Sequence, residues 1–452
     1  MKITITNKLI ITKAPDELRI KICMAFTMEN PAWIENDRMC RSNRKTPRHL
    51  TFYQQTPDGF TVPRGALGLV CCFCKESNIS YQIIDKTRTL PKVDFIFAGT
   101  LKGYQKEAVN DVLSHDFNVL QAPTGSGKTV MAMSIIAERR QPALIIVHSK
   151  ELLNQWIARV ETFLNIPGAE IGKIGGGYKL QIGEKVTIAL YQTLCRVAPD
   201  VKDLFGIVVV DECHKAPSRT FTEAVTPFDC SYMLGLSATP YRRDGLTKLI
   251  GWHLGRPVEV DPSDLTENDI ILDVEVVTRE TAFTTDFDPS GEYPQMLSEL
   301  TEDEDRNGLI VGDVIKEAGN GGGTCLVLSD RKGHIDTLGE MLRQNGVNPE
   351  ILTGAVKTKD RDAIVGRLNA GEVRVLIATG QLIGEGFDYK GFSTLFLTTP
   401  IKFSGRLLQY LGRILRPAPG KDKATVYDYI DVNIGVLEYS AKAREKVWEG
   451  YR

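Results

Sequence analysis

Apolar and polar positions along the chain change rhythm twice, and the changes divide it. Residues 2–13, KITITNKLIITK, alternate with a period of two, which predicts strands with one buried face. A polar, basic middle follows, with Arg38, Arg41, Arg44, Lys45 and Arg48, before apolar runs return at 66–74 and 81–84. This predicts a small α/β domain with a mobile basic loop at about 37–48, and GLVCCFC reads as one of its buried strands. TRTLPKVDF, residues 87–95, reads as a linker.

From residue 101 the pattern lengthens. A helix-like KGYQKEAVNDVLS is followed by short apolar runs at 143–147, 186–190, 207–210 and 232–236, with a helical stretch at 150–163. Uniformly apolar strands alternating with amphipathic helices imply a parallel sheet covered on both faces. The rhythm breaks at 256–281, around a polar patch at 261–269. It resumes with helices at 307–317, 333–344 and 360–370 and strands at 324–328, 350–353, 373–378 and 394–398. Residues 284–306, acidic and bearing Pro and Gly, read as an excursion or loop. A chain of 452 residues exceeds what one core supports, and the expected division is 1–95, 96–258 and 259–452.

Composition changes this picture little: 42% hydrophobic and 25% charged residues are ordinary for a soluble protein. The chain has no charge-free apolar run of membrane-spanning length and its first residues lack a signal-peptide layout, so a cytoplasmic protein without membrane contact is expected. Nine cysteines, odd in number and scattered, do not form a disulfide framework. The C-x-x-C at Cys71 and Cys74 has no second ligand pair, and reads as small hydrophobes in a core. Charge is uneven. Residues 1–100 hold 15 Lys or Arg against 9 Asp or Glu, a surplus of +6 on a chain of net −2, so the remainder carries −8. A basic amino-terminal segment on an acidic body suggests an extra contact for a polyanion.

Candidate chemistry begins at VLQAPTGSGKTV, residues 119–130. The loop Ala122, Pro123, Thr124, Gly125, Ser126, Gly127, Lys128, Thr129 lies between a predicted strand and a predicted helix. Small residues there let backbone N–H groups converge on phosphate oxygens, and the helix adds its positive dipole end. Lys128 can reach the outer phosphates of a triphosphate and the Thr129 hydroxyl can ligate Mg²⁺. Ala122 replaces the usual first glycine. Asp211-Glu212-Cys213-His214 follows the strand FGIVVV; in that place Asp211 can hold Mg²⁺ and Glu212 can polarise the water attacking a γ-phosphate. His214 is a candidate coupling residue, as are Ser237 and Thr239 in the Ser237-Ala238-Thr239-Pro240 turn.

Taken in order, these motifs resemble the superfamily 2 helicases and translocases, and the resemblance extends to further motifs within about residues 100–420, while residues 1–95 hold no diagnostic motif. Gln105 stands where the family reads adenine. Gln409-Tyr-Leu-Gly412-Arg413-Ile-Leu-Arg416 resembles the family's Q-x-x-G-R-x-x-R, whose arginines act on the γ-phosphate. VLIATGQLIGEGFD resembles the fifth motif, with Thr379 on the nucleic-acid side and Gly386 and Asp388 facing nucleotide or arginine. The resemblance also implies strand contacts at Ser149, Lys150, Gly176, Gln192 and Thr193, and at Asp330, Arg331 and Gly354, through phosphates rather than base edges. DECH, TPYRRDG and GEGFD are similar to the branch holding XPB-like and phage UvsW-like helicases. The resemblance implies two tandem RecA-like parallel-sheet domains preceded by a small α/β domain. ATP and Mg²⁺ would be cofactors, and a monomer would unwind or branch-migrate forked, branched or single-stranded DNA, with RNA not excluded. An RNA-dependent ATPase and a duplex translocase that remodels protein–DNA complexes are the alternatives.

Overall fold

A computed structural model of the chain describes residues 1–39, 41–215, 218–238, 245–261, 272–289, 291–320, 323–356, 358–384, 387, 389–401, 404–418, 421 and 423–448. It divides into two compact units, residues 1–122 with 127–260, and residues 261–452 with the loop stretch 123–126.

The first unit opens with a five-stranded sheet in the order Gln54–Thr56, Gly59–Pro63, Lys8–Thr12, Lys2–Ile5, Gln82–Asp85. The alternation seen in the sequence is its core: Ile3, Ile5, Leu9 and Ile11 are buried while their neighbours face out. GLVCCFC is not a strand. It lies in the helix Leu67–Glu76, because Ala66, Val70 and Cys74 repeat every four residues and turn one face to the sheet. Its Cys72 is exposed. The basic segment at 37–48 is tied down: Asn36 donates to Asn43 Oδ1 at 3.1 Å and Asn43 to the Trp33 carbonyl at 3.1 Å.

This small module shares its core with a helix from much later in the chain. Leu246, Leu249 and Trp252 are buried among Phe26, Val62 and Val70, with the Trp252 ring 5.0 Å from Phe26 and 5.3 Å from Phe52. At Gly65 the backbones meet directly, since a Cβ there would lie 2.5 Å from the Gly255 nitrogen. Buried Arg64 donates to the Cys230 carbonyl at 2.7 Å. Residues 87–95 run as a strap, with Arg88 paired to Asp229 at 3.0 Å and the Leu90 N–H on Gln141 Oε1 at 2.8 Å.

The larger part of the unit is an eight-stranded sheet in the order Tyr178–Gln181, Gly172–Gly175, Val186–Leu190, Ala143–Val147, Ile207–Val210, Tyr232–Ser237, Phe117–Gln121, Arg256–Glu259. All neighbours are parallel except the first pair. Every residue of Ala143–Val147 and Ile207–Val210 is buried. That is why these strands read as apolar runs.

The second unit is a six-stranded parallel sheet in the order Val274–Thr281, Ala424–Asp431, Phe392–Leu397, Thr324–Leu328, Val375–Ala378, Glu350–Leu352. Two sequence readings are corrected here. The stretch taken as a break holds strand Arg256–Glu259 and strand Val274–Thr281, the latter paired over eight residues with Ala424–Asp431. As an edge strand it mixes exposed and buried positions, so it carries no apolar run. The stretch taken as a loop contains helix Tyr293–Glu302, which buries Met296 and Leu300. Buried ion pairs brace this unit: Arg306 with Asp431 at 2.8 Å and Arg444 with Asp428 at 2.8 Å.

Candidate active site

In a parallel sheet the strand ends that follow in sequence with loops share one edge, and ligands bind there. The predicted site residues of the first unit stand on that edge. Ala122, with which the phosphate loop begins, follows Phe117–Gln121, Asp211 follows Ile207–Val210, Ser237 ends Tyr232–Ser237, and these three strands are neighbours.

Gly125 and Gly127 hold φ of 95° and 85°, and Gly127 is the N-cap of helix Lys128–Arg139. A side chain is excluded at Gly127 twice over, by the left-handed backbone and by the Gln105 amide, whose nitrogen would lie 2.5 Å from an added Cβ. Gln105 is thus buried against the phosphate loop. Its Oε1 accepts the Lys102 N–H at 2.9 Å and its Nε2 donates to the Tyr104 hydroxyl at 3.1 Å. Lys128 Nζ donates to the Ala122 carbonyl at 2.7 Å, and the Ala122 N–H bonds the Ser237 carbonyl at 3.1 Å. The two loops are therefore joined through the backbone. Thr129 stands half-buried in the first helical turn.

The carboxylates are set differently from one another. Asp211 is buried, with Oδ2 accepting the Trp156 indole N–H at 2.8 Å and Oδ1 the Glu212 N–H at 2.9 Å. Burial and the Glu212 charge push its carboxyl up to about 6, against the Trp156 bond and Lys128. Glu212 has a left-handed backbone, φ 46°, a conformation that costs a non-glycine residue about 1 kcal/mol or more. Burial alone would raise its carboxyl, but His214, Lys215, Lys128 and His148 together hold it below the usual range. Its Oε2 is buried with no hydrogen-bond partner among the described residues, 3.4 Å from His214 Nδ1. His214 is buried, lowered to about 4 by desolvation against the pull of Glu212, and its Nδ1 lies 2.9 Å from Ser237 Oγ.

This arrangement passes the test for a nucleoside triphosphate with a hard cation. A glycine cradle, an ammonium, a hydroxyl and two carboxylates, one with an unsatisfied buried oxygen, are oxygen-rich donors of the kind Mg²⁺ and phosphates need. Thr239, Gly386 and Asp388 lie outside the described residues, as do the side chain of Gln409 and most of TPYRRDG.

Next along the same edge, the strand-contact candidates of this unit come together. Ser149 caps helix Lys150–Leu164 by accepting the Leu152 N–H at 3.3 Å. Gly175, Gly176 and Gly177 all have positive φ. An added Cβ at Gly175 would meet Thr193 Oγ1 at 2.5 Å, and one at Gly177 would lie 3.7 Å from Lys150 Nζ. Gln192 is exposed beside Thr193. The sequence reading missed Tyr178, which is 40% exposed on the hairpin after the glycines. Lys150 and Lys173 stand 5.8 and 5.6 Å from its ring centroid, and its hydroxyl donates to Asn154 Oδ1 at 3.0 Å. An aromatic between lysines beside a glycine turn is the signal that marks it.

In the second unit, Asp330, Gly354 and Thr379 follow the neighbouring strands Thr324–Leu328, Glu350–Leu352 and Val375–Ala378. Asp330 and Gly354 are exposed, Thr379 half-buried, and the Arg331 guanidinium donates to the Pro294 carbonyl at 3.3 Å. Asp330 Oδ1 would be 3.2 Å from a Cβ on Gly380. Arg413, on helix Ser404–Ile414, is buried and donates to the Phe387 carbonyl; Arg416 is half-buried just beyond the helix. Lys421, unremarked in the sequence, caps that helix by donating to the Ile414 and Arg416 carbonyls, and burial lowers it to about 8.

Comparison with known proteins gives the family. Residues 99–242 match the family model described as Type III restriction enzyme, res subunit, and residues 310–418 match Helicase conserved C-terminal domain. The chain belongs to the superfamily 2 helicases. The helicase is 24% identical over 419 residues to the ATP-dependent DNA helicase uvsW of Enterobacteria phage T4, covering 85% of this chain and 82% of that one. It is 34% identical over 149 residues to the DNA 3'-5' translocase XPB2 of Sulfurisphaera tokodaii, a third of each chain. Its fold is that of the Pyrococcus furiosus Hef helicase domain, TM-score 0.52 at 14% identity, covering 76% of this chain and 98% of that one. The helicase has the tandem RecA-like architecture and works on nucleic acid driven by ATP. No described helix is long and apolar enough to cross a membrane.

Proposed function

We propose that this helicase remodels branched DNA, unwinding or branch-migrating forks and junctions. The observation that carries the proposal is one sheet edge bearing two adjoining arrays. The phosphate loop, the two carboxylates and the His214–Ser237 pair occupy three neighbouring strands. The glycine-turn cluster with Tyr178 occupies the strands beyond. The name of the phage relative, a DNA helicase, supports DNA, and the positive surplus in residues 1–100 suits a polyanion.

In this reading Gln105 holds adenine, the loop 122–129 holds the phosphates, and Thr129 and Asp211 hold Mg²⁺, which would neutralise phosphate charge. Glu212 accepts the proton of the attacking water, a task suited to a carboxylate kept ionised by its neighbours. His214 and Ser237 carry the state of the carboxylate loop to the end of strand Tyr232–Ser237. Arg413 and Arg416, with Gln409, Gly386 and Asp388, supply positive charge and orientation at the γ-phosphate in the hydrolysing state. Ser149, Lys150, Gly176, Gln192, Thr193, Asp330, Arg331, Gly354 and Thr379 hold the strand by its backbone. The functional parts are 1–95 for an extra DNA contact, 96–258 and 259–452 for the two motor domains.

Deleting residues 1–95 is a poor test, because it would strip the cover from Trp252. The test is ATPase stimulation by single-stranded DNA, duplex, fork, four-way junction and RNA of equal length, repeated with exposed Arg41, Arg44 and Lys45 changed to Ser. Forks and junctions are expected to stimulate most, and the triple change to weaken that stimulation and flatten its salt dependence. Equal or greater stimulation by RNA overturns the DNA assignment.

A further inference from the structure

The bond from Trp156 to Asp211 joins two parts of the site that have no contact in sequence. Trp156 lies in helix Lys150–Leu164, 2% exposed. Its indole N–H is a donor only, and it is directed at Asp211 Oδ2 at 2.8 Å. The second oxygen of the carboxylate is held by the Glu212 backbone. With both oxygens bonded, the side chain has one orientation. Neither donor is a charged group, so neither one neutralises the carboxylate that Mg²⁺ needs.

The same helix begins at the strand-contact cluster. Ser149 caps it, Lys150 opens it beside Gly177, and Asn154, one turn on, accepts the Tyr178 hydroxyl at 3.0 Å. Asn154 and Trp156 are two residues apart, so they point to different sides of the helix. One side answers to the glycine hairpin and the other to the aspartate. A shift of this helix cannot alter the first contact without being felt at the second, because a close-packed helix moves as a body.

We infer that Trp156 is a positioning residue for Asp211, and that helix Lys150–Leu164 carries strand binding to the metal-holding aspartate through it. The inference rests on the helicase reading of the site. It names a route by which nucleic acid speeds hydrolysis: a strand held at Lys150 and Tyr178 fixes the helix, and the helix fixes the carboxylate.

The test is Trp156→Phe, which keeps an aromatic ring in the core and removes the donor together with the five-membered ring that carries it. The Mg²⁺ concentration giving half-maximal ATPase is expected to rise about tenfold, the scale on which an outer hydrogen bond to a metal ligand acts. Excess Mg²⁺ is expected to restore turnover. In the unchanged protein, single-stranded DNA is expected to lower that half-saturating Mg²⁺ concentration; in Trp156→Phe the lowering disappears while affinity for the strand is kept. A readout without turnover is indole emission during titration with Mg²⁺ and ADP. The unchanged protein shows a response that Trp156→Phe lacks, Trp33, Trp252 and Trp448 being common to both.

An unaltered Mg²⁺ requirement in a folded Trp156→Phe overturns the inference. If that variant does not fold, the emission titration of the unchanged protein decides, and no response to Mg²⁺ and ADP overturns it. Failure of the unchanged protein to hydrolyse ATP at all would instead sink the helicase reading, so the two failures are distinct.

Discussion

The two parallel sheets present their site residues in opposite ways. In the first, the chemistry-bearing groups are buried or half-buried and each is bonded to a neighbour: Asp211 to Trp156, His214 to Ser237, Lys128 to Ala122. In the second, Asp330 and Gly354 are exposed at strand ends, and the burial lies one layer beneath. There His334 stands 3.0 Å from Ser329 Oγ and 2.8 Å from Asn307 Oδ1, under the turn that carries Asp330 and Arg331. Charge that must do chemistry is taken out of water and propped by neighbours, where each bond counts for more. In the proposed function Asp330 and Gly354 grip a moving polyanion and stay wet, with the rigidity supplied by the bonded layer below them.

The sharpest way to break this contrast is Glu212→Gln. If the first sheet is the chemical one, turnover falls about a thousandfold, as loss of a general base does, while ATP binding persists. Steady-state ATPase with a nucleotide-binding titration checks it, and turnover kept within tenfold removes the role of Glu212. The second sheet is probed through its support. Burial lowers His334 to about 3, with Arg306 adding to the effect, so it is neutral when folded, whereas an unfolded histidine titrates near 6.5. Below that pH only the unfolded chain takes the proton. The stabilising contribution of His334 is therefore complete above pH 6.5 and is lost as pH falls toward 3. The stability difference between the unchanged protein and His334→Gln is expected to shrink by about 2–3 kcal/mol from pH 7 to pH 4.5, measured by urea unfolding. A difference that stays constant with pH contradicts the assignment. The smallest expected effect is at the grip of the first sheet. Tyr178→Ala is expected to weaken single-strand binding about tenfold, within the range for one stacked base. A titration at fixed salt reads it, and an unchanged affinity makes Tyr178 a surface residue only.

What the sequence disclosed follows the same line. Strands buried on both faces, such as Ala143–Val147 and Thr324–Leu328, announced themselves because every residue but Thr324 is apolar. Edge strand Val274–Thr281 did not, because exposed and half-buried positions outnumber its buried ones. The phosphate loop, DECH and the arginine helix were legible because their chemistry fixes their spacing. Trp156, Tyr178, His334 and Lys421 were not, since each acts through a partner 24 to 55 residues away or through a cap that no spacing rule encodes. GLVCCFC misled because its hydrophobic content is right for a strand, and only the four-residue recurrence of Ala66, Val70 and Cys74 gives the helix away.

The seating of Trp252 among Phe26 and Phe52, with Gly65 laid against Gly255, makes the amino-terminal module a handle welded to the first motor plate. A load applied to that handle is passed to the sheet from which the phosphate loop springs, because the two share one core. For the same reason the module is no exchangeable cassette: a homologous replacement would have to bring its own socket for an indole that belongs to the engine.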